Sequence, residues 1–308
     1  MSFRLHNVEI KKGQNTNVSK YIFSSDFGIA ESVLYGYESF YKRTVICCST
    51  QSGCPVGCSF CGTGKHFKCN LSSEDIVFQV MHVIDSIEVD TSKIEKFQIM
   101  FMSMGEPFLN YDNVSKAIRC LNLLYPNAQL LLSTIAPSVH EEDYRKFIDL
   151  SKEIDKVGLQ FSIHRSTDEA RNILIPFKKK FSLRDISHIG RTFYAETGRH
   201  PYCNYCIDGT NNSDADADNL MELFDPETFC FTFSVVCSAD ETMKDAGFRN
   251  LGTIRKFEQK FLEKGYNTRI FDPAGQDDIG GGCGQLWKTQ EWFKTHTIEC
   301  RRDKLIIP

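Results

Sequence analysis

From residue 43 onward the chain alternates, and this alternation limits its fold more than any other feature. Short strand-like runs fall at 43–49, 95–103, 128–133, 157–163, 201–207, 229–236 and 267–271. Between them, helical patterns cover 72–87, 110–124, 139–150, 182–196, 215–224 and 245–264. A strand that lies parallel to its predecessor needs a crossover, and a helix is the usual one. The pattern therefore predicts an α/β fold built on a parallel sheet. About six such units are too few for a closed eight-fold barrel, so an open, partial (β/α)6 TIM-like barrel is expected. Ahead of it, residues 3–10, 20–24 and 31–37 read as strands of a small N-terminal β-extension. The expected division is 1–40 for the extension, 41–272 for the barrel core and 273–308 for a C-terminal segment.

In such sheets chemistry gathers at the carboxyl ends of the strands. The unusual polar residues fall there. Gly105-Glu106-Pro107 follows the second barrel strand, Ser133-Thr134 ends the third, Ser162 and His164 end the fourth, and Asn211 follows the fifth. After the first strand come Cys54, Cys58 and Cys61, a C-x₃-C-x₂-C spacing with Phe60 just before the last thiol. Three thiolates so close on one loop can hold three irons of a cubane iron–sulfur cluster and leave the fourth open. A structural zinc site would want four ligands, and the nearest downstream candidate, Cys69, is less well spaced. An open iron is what a radical S-adenosylmethionine (SAM) enzyme needs, so a [4Fe-4S] cluster and SAM are the expected cofactors.

Composition narrows the setting. The chain has 308 residues and 13 cysteines, with no apolar run of membrane-spanning length and no signal-peptide core near its start. Thiols at that density without a secretion signal argue for a reducing, cytoplasmic compartment. The formal net charge of −4 gives no global attraction to nucleic acid. Local basic groups exist at Lys178-Lys179-Lys180 and at Arg165 with Arg171, and for each a solvated face is the competing reading.

Seven motifs then occur in order: Cys47…Cys54-x₃-Cys58-x₂-Cys61, Asn70-Leu71-Ser72, Met104-Gly105-Glu106-Pro107-x₂-Asn110, Leu132-Ser133-Thr134, Ser162-Ile163-His164, Asp208-Gly209-x-Asn211 and Cys283-Gly284-Gln285-Leu286. The series resembles the RlmN/Cfr family of radical SAM RNA methyltransferases, from about residue 31 to the end. The resemblance implies methylation of an sp² carbon, position 2 or 8, of an adenosine in ribosomal or transfer RNA. It implies that Cys283 carries a methyl group as an intermediate and that Cys47 resolves the enzyme–RNA link by forming a disulfide with Cys283. That step requires the two Cα atoms within roughly 7 Å. By the same matching, Gly105 and Glu106 receive the methionyl ammonium, while Ser133, Ser162 and Asn211 hold the ribose and carboxylate of SAM. His164 takes a cofactor-side role or is a satisfied strand-end histidine; Phe60 shields the cluster or touches adenine. Glu31 matches a glutamate near the target adenine, with a surface strand residue as the alternative, and Met104 matches a position near the reacting sulfurs. A flavodoxin or ferredoxin is implied as electron donor, and a monomer is expected.

Other features depart from the family or receive no role. Only 53 residues precede Cys54, too few for the family's N-terminal helical RNA-binding domain. Gly280-Gly281-Gly282 precede Cys283, a freedom that suits a loop carrying a methylated sulfur between positions. Cys48 should point away from Cys47 into the core, and Cys203 and Cys206 should lie on opposite faces of one strand as packing. Cys69, Cys120, Cys230, Cys237 and Cys300 are assigned nothing. Two competing readings stay open: a radical SAM enzyme acting on a peptide, nucleotide or small molecule, and a non-catalytic metal-binding protein.

Overall fold

A computed structural model describes residues 7–14, 17–64, 66–236, 250–272, 279–282, 285 and 288–295. The chain enters through an antiparallel meander of β1 (Asn7–Lys12), β2 (Val18–Ser25) and β3 (Gly28–Tyr37). β3 also pairs antiparallel with β4 (Arg43–Cys48), so the entry strands continue the main sheet. Two short strands, β5 (Gln51–Gly53) and β6 (Phe67–Asn70), pair with each other apart from that sheet. The alternation follows: α1 (Ser73–Asp85), β7 (Lys96–Phe101), α2 (Tyr111–Leu124), β8 (Gln129–Thr134), α3 (Glu142–Glu153) and β9 (Val157–Ser162). Then come α4 (Asp168–Leu174), α5 (Leu183–Thr197), β10 (Tyr202–Ile207), α6 (Asp214–Leu223), β11 (Cys230–Val235), α7 (Leu251–Leu262), β12 (Thr268–Phe271) and α8 (Lys288–Thr295).

The ten-stranded sheet runs in the order β1-β2-β3-β4-β7-β8-β9-β10-β11-β12. From β4 onward every pairing is parallel and sequential, with no reversal of strand order. A reversal would make a doubly wound sheet; uninterrupted succession curls the sheet in one direction instead. Six crossovers join the seven parallel strands, the partial (β/α)6 barrel that the alternation predicts, and among the described residues β1 and β12 are the edges of the sheet. Local signals start the helices. Ser72, Ser182 and Ser213 each accept the backbone N–H of the third helical residue, and Asp75, Asp185 and Asp216 return the bond. Helix α3 starts three residues later than its apolar pattern suggests, and no side chain caps it.

Burial follows the two-residue period of the strands. One face packs under the helices in a continuous apolar core that includes Cys48, Phe97, Ile99, Phe101, Leu132, Phe161, Tyr205 and Phe233. The other face carries Gln98, Gln160, Asn204, Thr232, Ser234 and Arg269, which line a cavity. A closed barrel usually fills its interior with branched aliphatic side chains. Here the interior is left open, with those polar groups facing Val45, Met100, Met102 and Phe271 across a cavity, which makes it a candidate site. Among the described residues, no helix is long and apolar enough to cross a membrane.

Candidate active site

The short β5–β6 pair, which has no apolar alternation to betray it, brackets the three-cysteine loop. Cys54 N–H donates to the His66 carbonyl at 2.5 Å, and Cys61 N–H to the Cys58 carbonyl at 3.1 Å. Gly53 sits at φ +78°, where a Cβ would lie 2.0 Å from the His66 carbonyl oxygen, so only glycine closes this turn. Its N–H donates to the Met104 sulfur at 2.9 Å. Met104, matched by sequence to the vicinity of the reacting sulfurs, thus braces the loop. Cys54, Cys58, Cys61 and Phe60 open onto one cavity. Burial, reinforced by the neighbouring thiols, pushes the Cys54 and Cys58 thiols well above their usual range. Thiols placed so that they oppose one another's ionisation call for a positive centre. Among the described residues, no three His, Cys, Asp or Glu side chains gather around a single ion. Three thiols on one loop and one cavity fit a cubane cluster, which takes three thiolates and leaves its fourth iron open.

The opposite wall comes from the ends of β7, β8 and β9. Gly105, at φ +97°, passes so close to Gln51 that a Cβ would fall 2.6 Å from its side chain. Glu106 is buried, and its carboxylate accepts Thr134 Oγ1 at 2.7 Å, Ile135 N–H at 2.9 Å and Phe108 N–H at 3.1 Å. Burial nevertheless pushes its carboxyl up to about 7, against those donors. A cation in the cavity would restore the ionised form, so an ammonium fits here. Ser133 and Ser162 meet across the strand ends with their hydroxyls 3.3 Å apart, and Gln160 Nε2 donates to Ser133 at 3.1 Å.

His164 lies edge-on to Phe60, ring centroids 5.2 Å apart. Its Nδ1 accepts Cys206 N–H at 3.1 Å, which leaves the proton of the neutral ring on Nε2. Burial first, then Arg171 and Arg165, lowers its pKa to about 3, so it is neutral at physiological pH. It holds the uncommon φ of +57°, fixed by Asn211 Nδ2 and Arg165, which both donate to its carbonyl. Asn211 also donates to Cys206 O at 2.8 Å and accepts Asp208 N–H at 3.0 Å. Its side chain stands behind His164 and is absent from the cavity lining.

Below this cavity is a second, and the two share Met102 and Asn204. Cys47 lines the lower one beside Met100. Tyr37, Arg43 and Arg269 line it too, with the Arg43 guanidinium 4.6 Å above the Tyr37 ring and that of Arg269 4.5 Å above the ring of Tyr202, which stays outside the lining. Cys283 lies outside the described residues, as do Cys237 and Cys300. The described residues that flank Cys283 are placed: Ile279 joins Cys47, Val33 and Tyr35 in one apolar cluster, and the Tyr35 hydroxyl donates to the Gly281 carbonyl. Glu31 is not a surface residue. It is fully buried, its carboxylate 2.7 Å from the ammonium of Lys20.

Several sequence expectations meet specific partners. Cys48 packs in the helix-side core while Cys47 faces the cavity, and Cys203 joins that core while Cys206 does not. Arg171 is neither a solvated face nor a docking charge: it is buried and donates to the carbonyls of Ile135 and Phe181. Arg165 pairs with Asp208 at 2.5 Å. Sequence reading missed Lys20, Met100, Met102, Gln160, Asn204 and Arg269. All but Lys20 were signalled by polar or thioether residues at every second position of barrel strands. Lys20 gave no signal, because its partners lie 11 and more than 250 residues away.

The radical SAM superfamily model matches residues 48–188, the cluster loop through α5. The chain is 33% identical over 273 residues to a probable dual-specificity RNA methyltransferase RlmN of Pseudothermotoga lettingae, covering 87% of this chain and 75% of that protein. It is 30% identical over 292 residues to a ribosomal RNA large subunit methyltransferase N of Nitrosopumilus maritimus, covering 92% and 79%. A radical SAM methyltransferase from Sphaerobacter thermophilus superimposes with a TM-score of 0.73 at 27% identity, over 90% of this chain and 80% of that one. The cofactors of the superfamily, a [4Fe-4S] cluster and SAM, are those of this enzyme. The chain belongs to the RlmN family of radical SAM methyltransferases.

Proposed function

We propose that this enzyme methylates an sp² carbon, position 2 or 8, of an adenosine in ribosomal or transfer RNA, with Cys283 as methyl carrier and Cys47 as its resolving partner. The observation that carries the reading is the junction of two cavities at Met102 and Asn204, one lined by the three loop cysteines and the other by Cys47. Two further observations support it: residues flanking Cys283 pack on the Cys47 side of the sheet, and the named relatives are RNA methyltransferases. In this reading residues 1–40 are an entry extension, 41–272 the catalytic barrel and 273–308 the segment that brings Cys283.

Bound at Cys54, Cys58 and Cys61 and along the strand ends, the cluster and SAM supply methyl groups and a one-electron route to a carbon radical. The chain's own residues do the rest. Glu106 and the Gly105 backbone take the ammonium end of SAM, and Ser133 and Ser162 take its hydroxyls and carboxylate. His164, held neutral, adds no charge beside the cluster. Asn211 keeps His164 in place. The Tyr37, Arg43 and Arg269 planes, which line the lower cavity, offer stacking surfaces to a splayed base. Cys283 accepts a methyl on Sγ. Joining that carbon to adenine requires the S-methyl group to give up one hydrogen atom to the SAM-derived radical and the ring to lose its hydrogen as a proton, with one electron passed on to the one-electron carrier. Attack by the Cys47 thiolate on the Cys283 sulfur then forms the S–S bond and breaks the S–C bond. The released electron pair takes a proton to complete the product methyl group, and two external electrons reduce the disulfide. A flavodoxin- or ferredoxin-type donor suits the one-electron supply.

The test is peptide mass spectrometry of anaerobically purified enzyme. One extra methyl on Cys283 is expected. An unmodified Cys283 after incubation with SAM and an intact cluster would overturn the reading and leave a radical SAM enzyme of another substrate class.

A further inference from the structure

The C-terminal segment approaches the inner face of β2 and β3, and a charge is buried at their junction. Lys20 has no exposed surface. Its ammonium contacts Glu31 Oε2 at 2.7 Å and donates to the carbonyls of Gln285 at 3.1 Å and Gly280 at 3.3 Å. An ammonium has three N–H donors, and these three oxygens are enough to use them. The two carbonyls lie on either side of Cys283, three residues before it and two after. Gly282, one residue before Cys283, and Gln285 bond each other through Gly282 N–H and the Gln285 side chain at 2.7 Å and through Gln285 N–H and the Gly282 carbonyl at 3.1 Å. Beyond the turn, Trp292 of α8 packs on Ile22 and Ile29 of the same two strands.

A buried lysine is costly unless its charge is met, and Glu31 meets it. An apolar residue at position 20 would pack on this face without needing Glu31, so burial alone does not explain the pair. What lysine adds is a donor that reaches both flanks of the Cys283 turn. We infer that Lys20, neutralised by Glu31, is a positioning residue that fixes the backbone at Gly280 and Gln285, on either side of Cys283 in the sequence, against the β2–β3 face. The consequence for Cys283 as methyl carrier rests on the function proposed above; the fixing of the turn does not.

The test uses the full-length, cluster-loaded protein and three forms: wild type, Lys20→Met, and the double variant Lys20→Met/Glu31→Gln. The double variant removes both charges together, so it leaves no buried carboxylate without a cation, yet methionine cannot donate to the two carbonyls. Hydrogen exchange of peptides spanning residues 279–285 is measured without SAM or RNA. At least tenfold faster exchange is expected in both variants, with the barrel strands unchanged in the double variant. With SAM added, Cys283 methylation should fall at least tenfold in the double variant while SAM cleavage at the cluster persists. Wild-type exchange at 279–285 in the double variant would overturn the inference. So would exchange that rises equally across the barrel in the double variant, because the pair would then serve the whole fold. If wild type never methylates Cys283 but the exchange difference is present, the positioning role stands and the proposed function fails.

Discussion

Cys47 and Cys48 are neighbours on β4 with opposite surroundings, and the contrast extends across the barrel. Cys48 is sealed in the core under the helices, with Phe101, Phe161 and Phe233. Cys47 faces the interior, with Met100, Gln160 and Ser234 along the same cavity. Each strand thus gives every second residue to stability and the rest to chemistry. The outer face tolerates only apolar volume, because its side chains interlock with the helices. The inner face has given up that continuous packing and keeps polar groups such as Gln160, Asn204 and Ser234 around open space, beside a small apolar cluster that includes Cys47.

The largest break in this comparison comes from single substitutions at adjacent positions of β9. Phe161 has no exposed surface and sits in the main core. Phe161→Ala should lower unfolding stability by about 3–5 kcal/mol, from lost burial plus an unfilled cavity. Ser162, next along the strand, lines the cluster cavity and shares its hydroxyl with Ser133. Ser162→Ala should shift the denaturation midpoint little and weaken SAM binding by about 2–10-fold, the worth of one hydrogen bond. Chemical denaturation with SAM titration reads both quantities. A large stability loss from Ser162→Ala would show that the inner face also carries the fold.

How much of this was legible in the sequence depends on the distance over which each feature is encoded. The parallel barrel was readable because its period is local, repeated in each strand and each serine-capped helix. The three-cysteine loop was readable because its ligands lie within eight residues. The β5–β6 bracket was not, since Gln51-Ser52-Gly53 is too short and polar to show a period and its pairing depends on the Gly53 turn. Glu31 was matched to the substrate, yet its buried contact with Lys20 follows from a hairpin register, Ile22 opposite Glu31, that spacing alone does not give. The support of the Cys283 turn was the least legible, because it joins residues at the two ends of the chain.

The next test stays on β4. Cys48→Ser places a hydroxyl where the neighbours are apolar, and should cost about 1–3 kcal/mol in stability with cluster content unchanged per folded molecule. Cys47→Ala lies beside open space and should cost less than about 1 kcal/mol. Its effect should be chemical: with SAM, reductant and RNA, a covalent enzyme–RNA species accumulates, seen as a shifted band and by mass. Turnover by Cys47→Ala with no trapped species would remove Cys47 from the proposed chemistry while leaving the contrast between the faces intact.

The smallest effect sharpens the comparison through pH. His164 is a polar group buried neutral at the cavity wall, with its pKa lowered from 6.5 to about 3 by burial and by two nearby guanidiniums. Between those values the unfolded chain binds a proton that the folded one does not. The contribution is therefore fully present above pH 6.5 and is lost as pH falls towards 3. From pH 7.5 to 5.5 it amounts to about 1 kcal/mol. His164→Gln removes the titration and can still offer an acceptor to Cys206 N–H, so its stability should fall less steeply over that interval, by the same amount. Denaturation midpoints of both proteins at the two pH values supply the difference of differences, in which other titrating groups cancel. Equal slopes would mean that His164 takes up its proton in the folded state. The cavity wall would then be open to water and protons at a point where the packing of Phe60 and the Cys206 contact argue that it is closed.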